Sequence, residues 1–212
     1  MSLLEEPEQL DELQGIKRHG TDKDFTGRNQ VVMYLQSKGF DVLGYGEYGA
    51  VCDHPSFNGK YVLKVFRDKN FEVFIDYCKA NAGNRYLPKF HGKLIRLGEA
   101  AAMIRVEKLN PVSDDFYYQA LGQLVVMVHR YTHPSANDEM RQQALDWVED
   151  MSYEEFFETL VTLTQNAPAG AEMDLHPGNF MRRGPRGGVV ISDPYKGAEL
   201  PFGKMPNQGG RL

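Results

Sequence analysis

Apolar positions follow two rhythms along this chain, and the change of rhythm divides it. From Phe40 to Glu107 they come in short runs, the clearest being Tyr61-Val62-Leu63-Lys64-Val65-Phe66, with others on either side of the glycines within 40–51 and at 91–96 and 101–107. Short runs rich in β-branched and aromatic residues, bounded by Gly, Pro and Asn, read as strands. One segment interrupts them. Between Asn70 and Ala82 the residues Phe71, Phe74, Ile75 and Cys78 fall at helical spacing, with Gly83 near the end, which predicts a helix. The first half therefore holds about five strands and one helix, joined at Gly98 by a turn.

From residue 114 the spacing becomes helical. Leu121, Leu124, Val125 and Val128 line 114–131; Met140, Ala144, Trp147 and Val148 line 135–150; Tyr153, Phe156, Phe157, Leu160 and Leu163 line 153–166. Such stripes are core-facing. Ser152 is read as the cap of the third helix. Ahead of the strands, Val31, Val32, Tyr34 and Leu35 give 28–38 one apolar face, and Gly39 can end that helix in a left-handed conformation. Leu3, Leu4, Leu10 and Leu13 mark a short helix further upstream, followed by a loop from Gly15 to Gly27. Near the end, Val189-Val190-Ile191 reads as a strand that stops at Asp193-Pro194. Pro194 to Leu212 shows neither rhythm. The expected fold class is α+β. The expected divisions are an extension with a helix (1–39), a strand-rich part (40–107), a linker at Lys108-Leu109-Asn110-Pro111, a helical part (112–195) and a tail (196–212).

Composition narrows the function without choosing it. The 212 residues are 42% hydrophobic and 25% charged, as expected of a globular protein. A formal net charge of −5 argues against a broad nucleic-acid-binding face. The two cysteines, Cys52 and Cys78, are too few for a disulfide framework in a chain of this size and read as buried small hydrophobes in a reducing compartment. No apolar run approaches the roughly 20 residues that span a bilayer. Glu5, Glu6 and Glu8 stand where a signal peptide has basic residues. A cytoplasmic protein with no membrane partner is the expectation.

The candidate chemistry gathers in Met173-Asp174-Leu175-His176-Pro177-Gly178-Asn179 and at Asp193. Pro177-Gly178 is a strong turn former, so Asp174 and Asn179 should come back to one place. Hard oxygen donors from a loop and a strand end suit Mg²⁺, which takes one or two carboxylates plus substrate phosphates. Upstream, Gly44, Gly46, Gly49 and Val51 spell G-x-G-x-x-G-x-V. A dinucleotide-binding turn would run directly into a helix, but Pro55 and Asn58-Gly59 follow here, so strand, glycine-rich hairpin, strand is the better reading. Lys64 lies in the next strand and points opposite to Leu63 and Val65. Taken alone it is an outward surface lysine; the glycine-rich hairpin before it weakens that reading. Glu72 and Asp76 lie on the following helix, where a solvated face is one reading of them. His54, His129, His133 and His176 read as surface or core residues, although a metal pair at His129 and His133 is conceivable.

In this order, Gly44-x-Gly46-x-x-Gly49-x-Val51, Lys64, Asp174-x-x-x-x-Asn179 and Asp193 resemble the protein-kinase fold over roughly residues 40–195. The Asp-Leu-His-Pro-Gly-Asn pattern is also similar to small-molecule kinases such as the aminoglycoside phosphotransferases. The chain most resembles the short early serine/threonine protein kinases of short-tailed bacteriophages. That resemblance implies two lobes, an antiparallel sheet with a helix and then a reduced helical lobe. It implies ATP and Mg²⁺ as cofactors and proteins of a bacterial host as substrates. It also implies roles. Gly44, Gly46, Gly49 and Val51 would cover the nucleotide, and Lys64 would bind its α and β phosphates. Glu72, or else Asp76, would hold Lys64. Backbone groups from Glu107 to Leu109 would meet adenine, Asn179 and Asp193 would coordinate Mg²⁺, and Asp174 would accept the acceptor's proton.

The departures carry expectations too. Glu172-Met173 stands where typical protein kinases have His-Arg, so control through a phosphorylated activation loop loses its charge partner. Asp193-Pro194-Tyr195 replaces Asp-Phe-Gly, and Pro194 stiffens the backbone against a flip. The Ala-Pro-Glu motif and later substrate-bearing helices are missing, leaving 114–150 as the candidate support. Two alternatives stay open: a small-molecule phosphotransferase of the same fold, and a pseudokinase that binds or inhibits a host protein.

Overall fold

The computed structural model describes residues 25–46, 49–97, 101–184 and 187–196. The short helix expected before residue 15, the turn at Gly98 and the tail beyond Lys196 lie outside them. The described chain forms two compact units, one comprising the residues up to Glu72 with Lys89–Lys108, the other Val73–Pro88 with residues from Leu109 onward.

The first unit is built on a helix and a sheet. Helix α1 (Arg28–Gln36) buries Val31, Val32 and Leu35, and Gly39 follows it at φ +89°. Strands β1 (Asp41–Tyr45), β2 (Gly49–Asp53), β3 (Tyr61–Phe66), β4 (Phe90–Leu97) and β5 (Ala101–Glu107) make one antiparallel sheet in the order β1-β2-β3-β5-β4. Period-two alternation sorts their side chains. Cys52, Leu63, Val65, Ala101 and Met103 join Val31, Leu35, Phe40 and Phe57 in one buried cluster on the α1 face. Val51, Lys64 and Ile104, matched across β2, β3 and β5, therefore lie on the other face. A 3₁₀ turn at Pro55–Phe57 ends with Asn58 in the left-handed region. His54 caps that turn and its ring lies 4.6 Å from Phe40, which gives this histidine a packing role.

Helix α2 (Lys69–Ala80) buries Phe71, Phe74, Ile75 and Cys78; the division between the units falls within it, after Glu72. Both cysteines are free and buried, and burial pushes the Cys52 thiol up to about 11.

In the second unit Asn110 and Pro111 form β6, paired with Met181 and Arg182. One helical stretch follows, made of α3 (Asp114–Phe116), a π-helical turn at Tyr117–Leu121 and α4 (Gly122–Thr132). Helices α5 (Asp138–Asp150) and α6 (Glu154–Gln165) complete the bundle, with Leu124, Val128, Ala144, Val148, Phe156, Leu160 and Leu163 buried. Strands β7 (Glu172–Met173), β8 (Phe180–Arg182), β9 (Val189–Ile191) and β10 (Tyr195–Lys196) close it; β8 pairs with β9 and β10 with β7.

Two local expectations are corrected. Ser152 does not cap α6, whose N-cap position is Tyr153 with no side-chain bond. Ser152 instead adopts φ +55° and ends α5, with Ser152 N–H bonded to Glu149 O at 3.0 Å and Tyr153 N–H to Val148 O at 3.0 Å. That is a Schellman closure with serine in the place glycine usually takes. Likewise Tyr195-Lys196, read as patternless tail, is a strand. Two residues carry no periodicity; pairing with Glu172-Met173 and a bond from the Tyr195 hydroxyl to Leu163 O, 2.9 Å, set it.

Candidate active site

In the second unit the backbone brings Asp174, Asn179 and Asp193 to adjacent positions. The Asp174 N–H donates to Pro194 O at 2.7 Å, directly after the β7–β10 pair. The Ser192 N–H donates to Asn179 O at 2.9 Å, directly after the β8–β9 pair. Two short ladders thus hold the loop 174–179 against the chain on both sides of Asp193. Within the loop, Pro177–Asn179 makes a 3₁₀ turn capped by His176, whose Nδ1 accepts from Gly178 N–H at 3.0 Å. Glycine lets the His176 ring lie over this turn, since a Cβ on residue 178 would stand 2.8 Å from that ring and displace it.

The side chains are ordered by donor and acceptor chemistry. The Asn179 amide nitrogen donates to Asp174 O at 2.6 Å and to Asp174 Oδ2 at 3.2 Å. With its N–H groups directed at Asp174, the amide presents its carbonyl oxygen elsewhere, as an acceptor suited to a cation. The Asp174 side chain is 28% exposed, and Oδ2 also lies 3.6 Å from His176 Nε2. Oδ1 has no hydrogen-bond partner among the described residues. Because His176 Nδ1 accepts from the backbone, the neutral ring carries its proton on Nε2 and turns it toward Asp174.

Aromatic residues support this loop. The Tyr117 hydroxyl donates to Leu175 O at 2.5 Å, and its ring packs 5.5 Å from the fully buried Phe180. The π turn that begins at Tyr117 belongs to a class of helix irregularity that recurs at functional positions. Tyr195, bonded to Leu163 O, packs 6.2 Å from Phe74. Burial raises the pKa of both tyrosines, Tyr195 beyond any physiological range, so both remain neutral donors. Sequence reading passed over Tyr117, His176, Ser192 and Tyr195 as supports. The usable signal was that a tyrosine in an apolar stripe must bring its hydroxyl to an acceptor. Removing the Tyr117 hydroxyl in Tyr117→Phe leaves Leu175 O buried and unpaired. The expected loss is about 1–3 kcal/mol, read as a lower urea midpoint at unchanged slope.

In the first unit, Gly46 N–H donates to Gly49 O at 2.8 Å inside the β1–β2 hairpin. At Gly49 a Cβ would lie 3.3 Å from Val65 O and 3.5 Å from Lys64 Cε. Glycine there lets the hairpin settle onto the strand that carries the lysine. Among the described residues nothing stands within 4 Å of a Cβ built on Gly44. Val51 pairs across the ladder with Lys64, and the Lys64 ammonium lies 3.7 Å from the centroid of the buried Phe71 ring. Glu72, read as the lysine's holder, receives a two-bond fork from Arg96 at 2.8 and 2.5 Å. The Glu107 carboxylate accepts from Lys89 N–H at 2.9 Å. The Glu107 and Lys108 N–H groups donate to Lys89 O at 2.9 Å and Lys60 O at 3.0 Å. Leu109 follows as a half-buried residue in the second unit.

The model of the family described as bacteriophage T7 protein kinase 0.7 matches residues 19–198. The chain belongs to that family. It is therefore a phage protein kinase, and kinases use ATP. No curated protein matches the chain. Every candidate residue from Gly44 to Asp193 lies inside the span that matches this kinase family. No helix among the described residues is long and apolar enough to cross a membrane.

Proposed function

We propose that this kinase transfers the γ-phosphoryl group of ATP to serine or threonine hydroxyls of bacterial host proteins, in the host cytoplasm, with Mg²⁺ as its metal. The observation that carries the site assignment is the Asn179 amide, which directs its nitrogen at Asp174 and leaves one oxygen for a cation beside a carboxylate left for a proton.

The residues fit these tasks. Asp193 and the Asn179 carbonyl oxygen are the hard donors that would hold Mg²⁺. Bound there, the ion would neutralise charge on the β and γ phosphates. Asp174 Oδ1 orients the acceptor hydroxyl and takes its proton as the new O–P bond forms and the β–γ bridging O–P bond breaks, the electron pair leaving on ADP. Lys64 supplies a fixed positive charge for the α and β phosphates. Gly44, Gly46 and Gly49, with Val51, would cover the nucleotide, the glycines letting backbone come close where a Cβ would collide. Backbone groups from Glu107 to Leu109 would meet adenine; the N–H groups of Glu107 and Lys108 already donate to Lys89 O and Lys60 O. Glu72, which accepts the Arg96 fork, would hold Lys64 through its remaining acceptor sites or in exchange for that arginine.

The reading is tested by incubating the pure protein with γ-labelled ATP, Mg²⁺ and bacterial lysate. Label is expected on proteins, at phosphoserine and phosphothreonine after acid hydrolysis. Label confined to small molecules, or no label, would overturn it.

A further inference from the structure

Apart from the candidate active site, the helical bundle carries an open groove of about 460 Å³ formed by α4, α5 and α6. Its floor is hydrocarbon and aromatic: Val148, Phe157 and Val161, each less than a tenth exposed. One wall is Tyr131, whose ring meets Phe157 edge-on at 5.3 Å, and the other is Leu145, 39% exposed. Glu149, Glu154 and Glu158 form the rim. None of the three is in an ion pair among the described residues.

The charge is concentrated here. Residues 138–158 hold eight carboxylates and one arginine, in a chain whose whole net charge is −5. Glu154 and Glu158 stand four positions apart on α6, a like-charge spacing that weakens a helix unless a cation intervenes. Among the described residues Arg85 pairs with Glu155 on the same helix at 2.7 Å, and no cation pairs with Glu154 or Glu158. A ligand that satisfies this surface needs apolar anchors for the floor and positive charges set apart from them for the rim. An amphipathic peptide segment with Leu, Ile or Phe at one helical face and Lys or Arg beside it has that pattern. A small metabolite fits it less well, because among the described residues the lining offers no cation and one hydroxyl, that of Tyr131, on a wall.

We infer that this groove docks a basic, apolar-anchored segment of the protein substrates, away from the phosphorylated residue itself. The inference rests on the protein-kinase reading and adds to it how substrates are retained. A tethered acceptor experiences a raised effective concentration at the transfer site without any new contact there.

The test uses the full chain and a fluorescein-labelled peptide, KKALKKLAKKLAK, with its Lys→Glu counterpart as control. Anisotropy should show binding of the basic peptide alone, weakened by salt. Glu149→Gln, Glu154→Gln and Glu158→Gln combined should weaken it about tenfold or more, from three rim pairs acting together. Leu145→Asp, on the exposed wall, should do the same. Asp138→Asn, Glu139→Gln and Asp146→Asn combined make the same charge change on α5 outside the groove and should leave the affinity unchanged. In labelled-ATP assays with lysate, the rim variant should raise the apparent KM for protein acceptors and leave kcat intact. Equal weakening by both triple variants reduces the effect to bulk charge and overturns the docking site, as does binding of the acidic peptide. Self-association of the chain that the rim variant abolishes would give the groove to a second copy and also overturn it. If no variant and no parent transfers phosphate, the kinase reading fails instead, while the anisotropy still reports on the groove.

Discussion

Asp174→Ala is expected to lower phosphoryl transfer by about 10²–10⁴ while leaving the fold nearly intact. The reason is in the bonding. The Asp174 carboxylate accepts one long bond, 3.2 Å, from Asn179, whose nitrogen keeps its shorter bond of 2.6 Å to the Asp174 main-chain oxygen when the side chain is gone. The loop is also fixed by the Asp174 N–H to Pro194 O bond and by Tyr117 below Leu175. A stability change of about 1 kcal/mol or less follows, because the carboxylate is part-exposed and no buried group is orphaned. Initial rates of label transfer, with urea midpoints and circular dichroism as folding controls, check it. Asp174→Asn separates proton acceptance from shape: it keeps the volume and should be nearly as inactive. Asp193→Asn should differ in kind, because added Mg²⁺ partly restores a weakened metal ligand and cannot replace a missing base. Parent-like transfer by Asp174→Ala would remove this residue from its role.

Much of the fold was legible because apolar spacing decides it. The alternation through Leu63, Lys64 and Val65 placed the lysine on the face opposite the α1 cluster, and the structure has it there. Phe71, Phe74, Ile75 and Cys78 gave α2 in the same way. The misses are set by pairings and irregularities that apolar periodicity does not register. Nothing local in Tyr195-Lys196 reveals a strand, since its partner is Glu172-Met173. Ser152 looks like a helix-starting residue, yet the closure of α5 takes it first, for Tyr153 must reach back to Val148 O. The π turn at Tyr117 inserts an extra residue that a 3.6 period cannot show.

The candidate site divides along the same line. Residue types and spacing announced Asp174, Asn179 and Asp193, because Pro-Gly turns and strand ends are local signals. The hydrogen bonds that give Asn179 its direction, and Arg96 as the residue that grips Glu72, depend on geometry that no motif encodes. Arg96 lies 24 positions from Glu72, on β4, and an exposed arginine on a strand carries no mark of its partner.

Lys64→Met is expected to reduce productive use of ATP by about 10²–10³, the scale of losing one preorganised charge that stabilises phosphoryl transfer. The substitution is chosen for what it retains. The Lys64 ammonium stands 3.7 Å from the Phe71 ring centroid, a cation–π contact of about 0.5–2 kcal/mol. Methionine has comparable length, and its sulfur keeps a favourable contact with an aromatic ring of about 0.3–1.5 kcal/mol. The strand, its pairing with Val51 and the packing against Gly49 should therefore survive, and the lost quantity is charge. Two measurements divide that loss. Binding of a fluorescent ATP analogue reports the ground state, and transfer at saturating ATP reports the transition state. A phosphate clamp that acts in both should lower affinity moderately and kcat more. Lys64→Arg should not rescue activity, because a planar guanidinium directs its donors differently from a compact ammonium. If Lys64→Met transfers label at the parent rate, the lysine over Phe71 is a packing residue with an outward charge, and the phosphate contact belongs elsewhere in the chain.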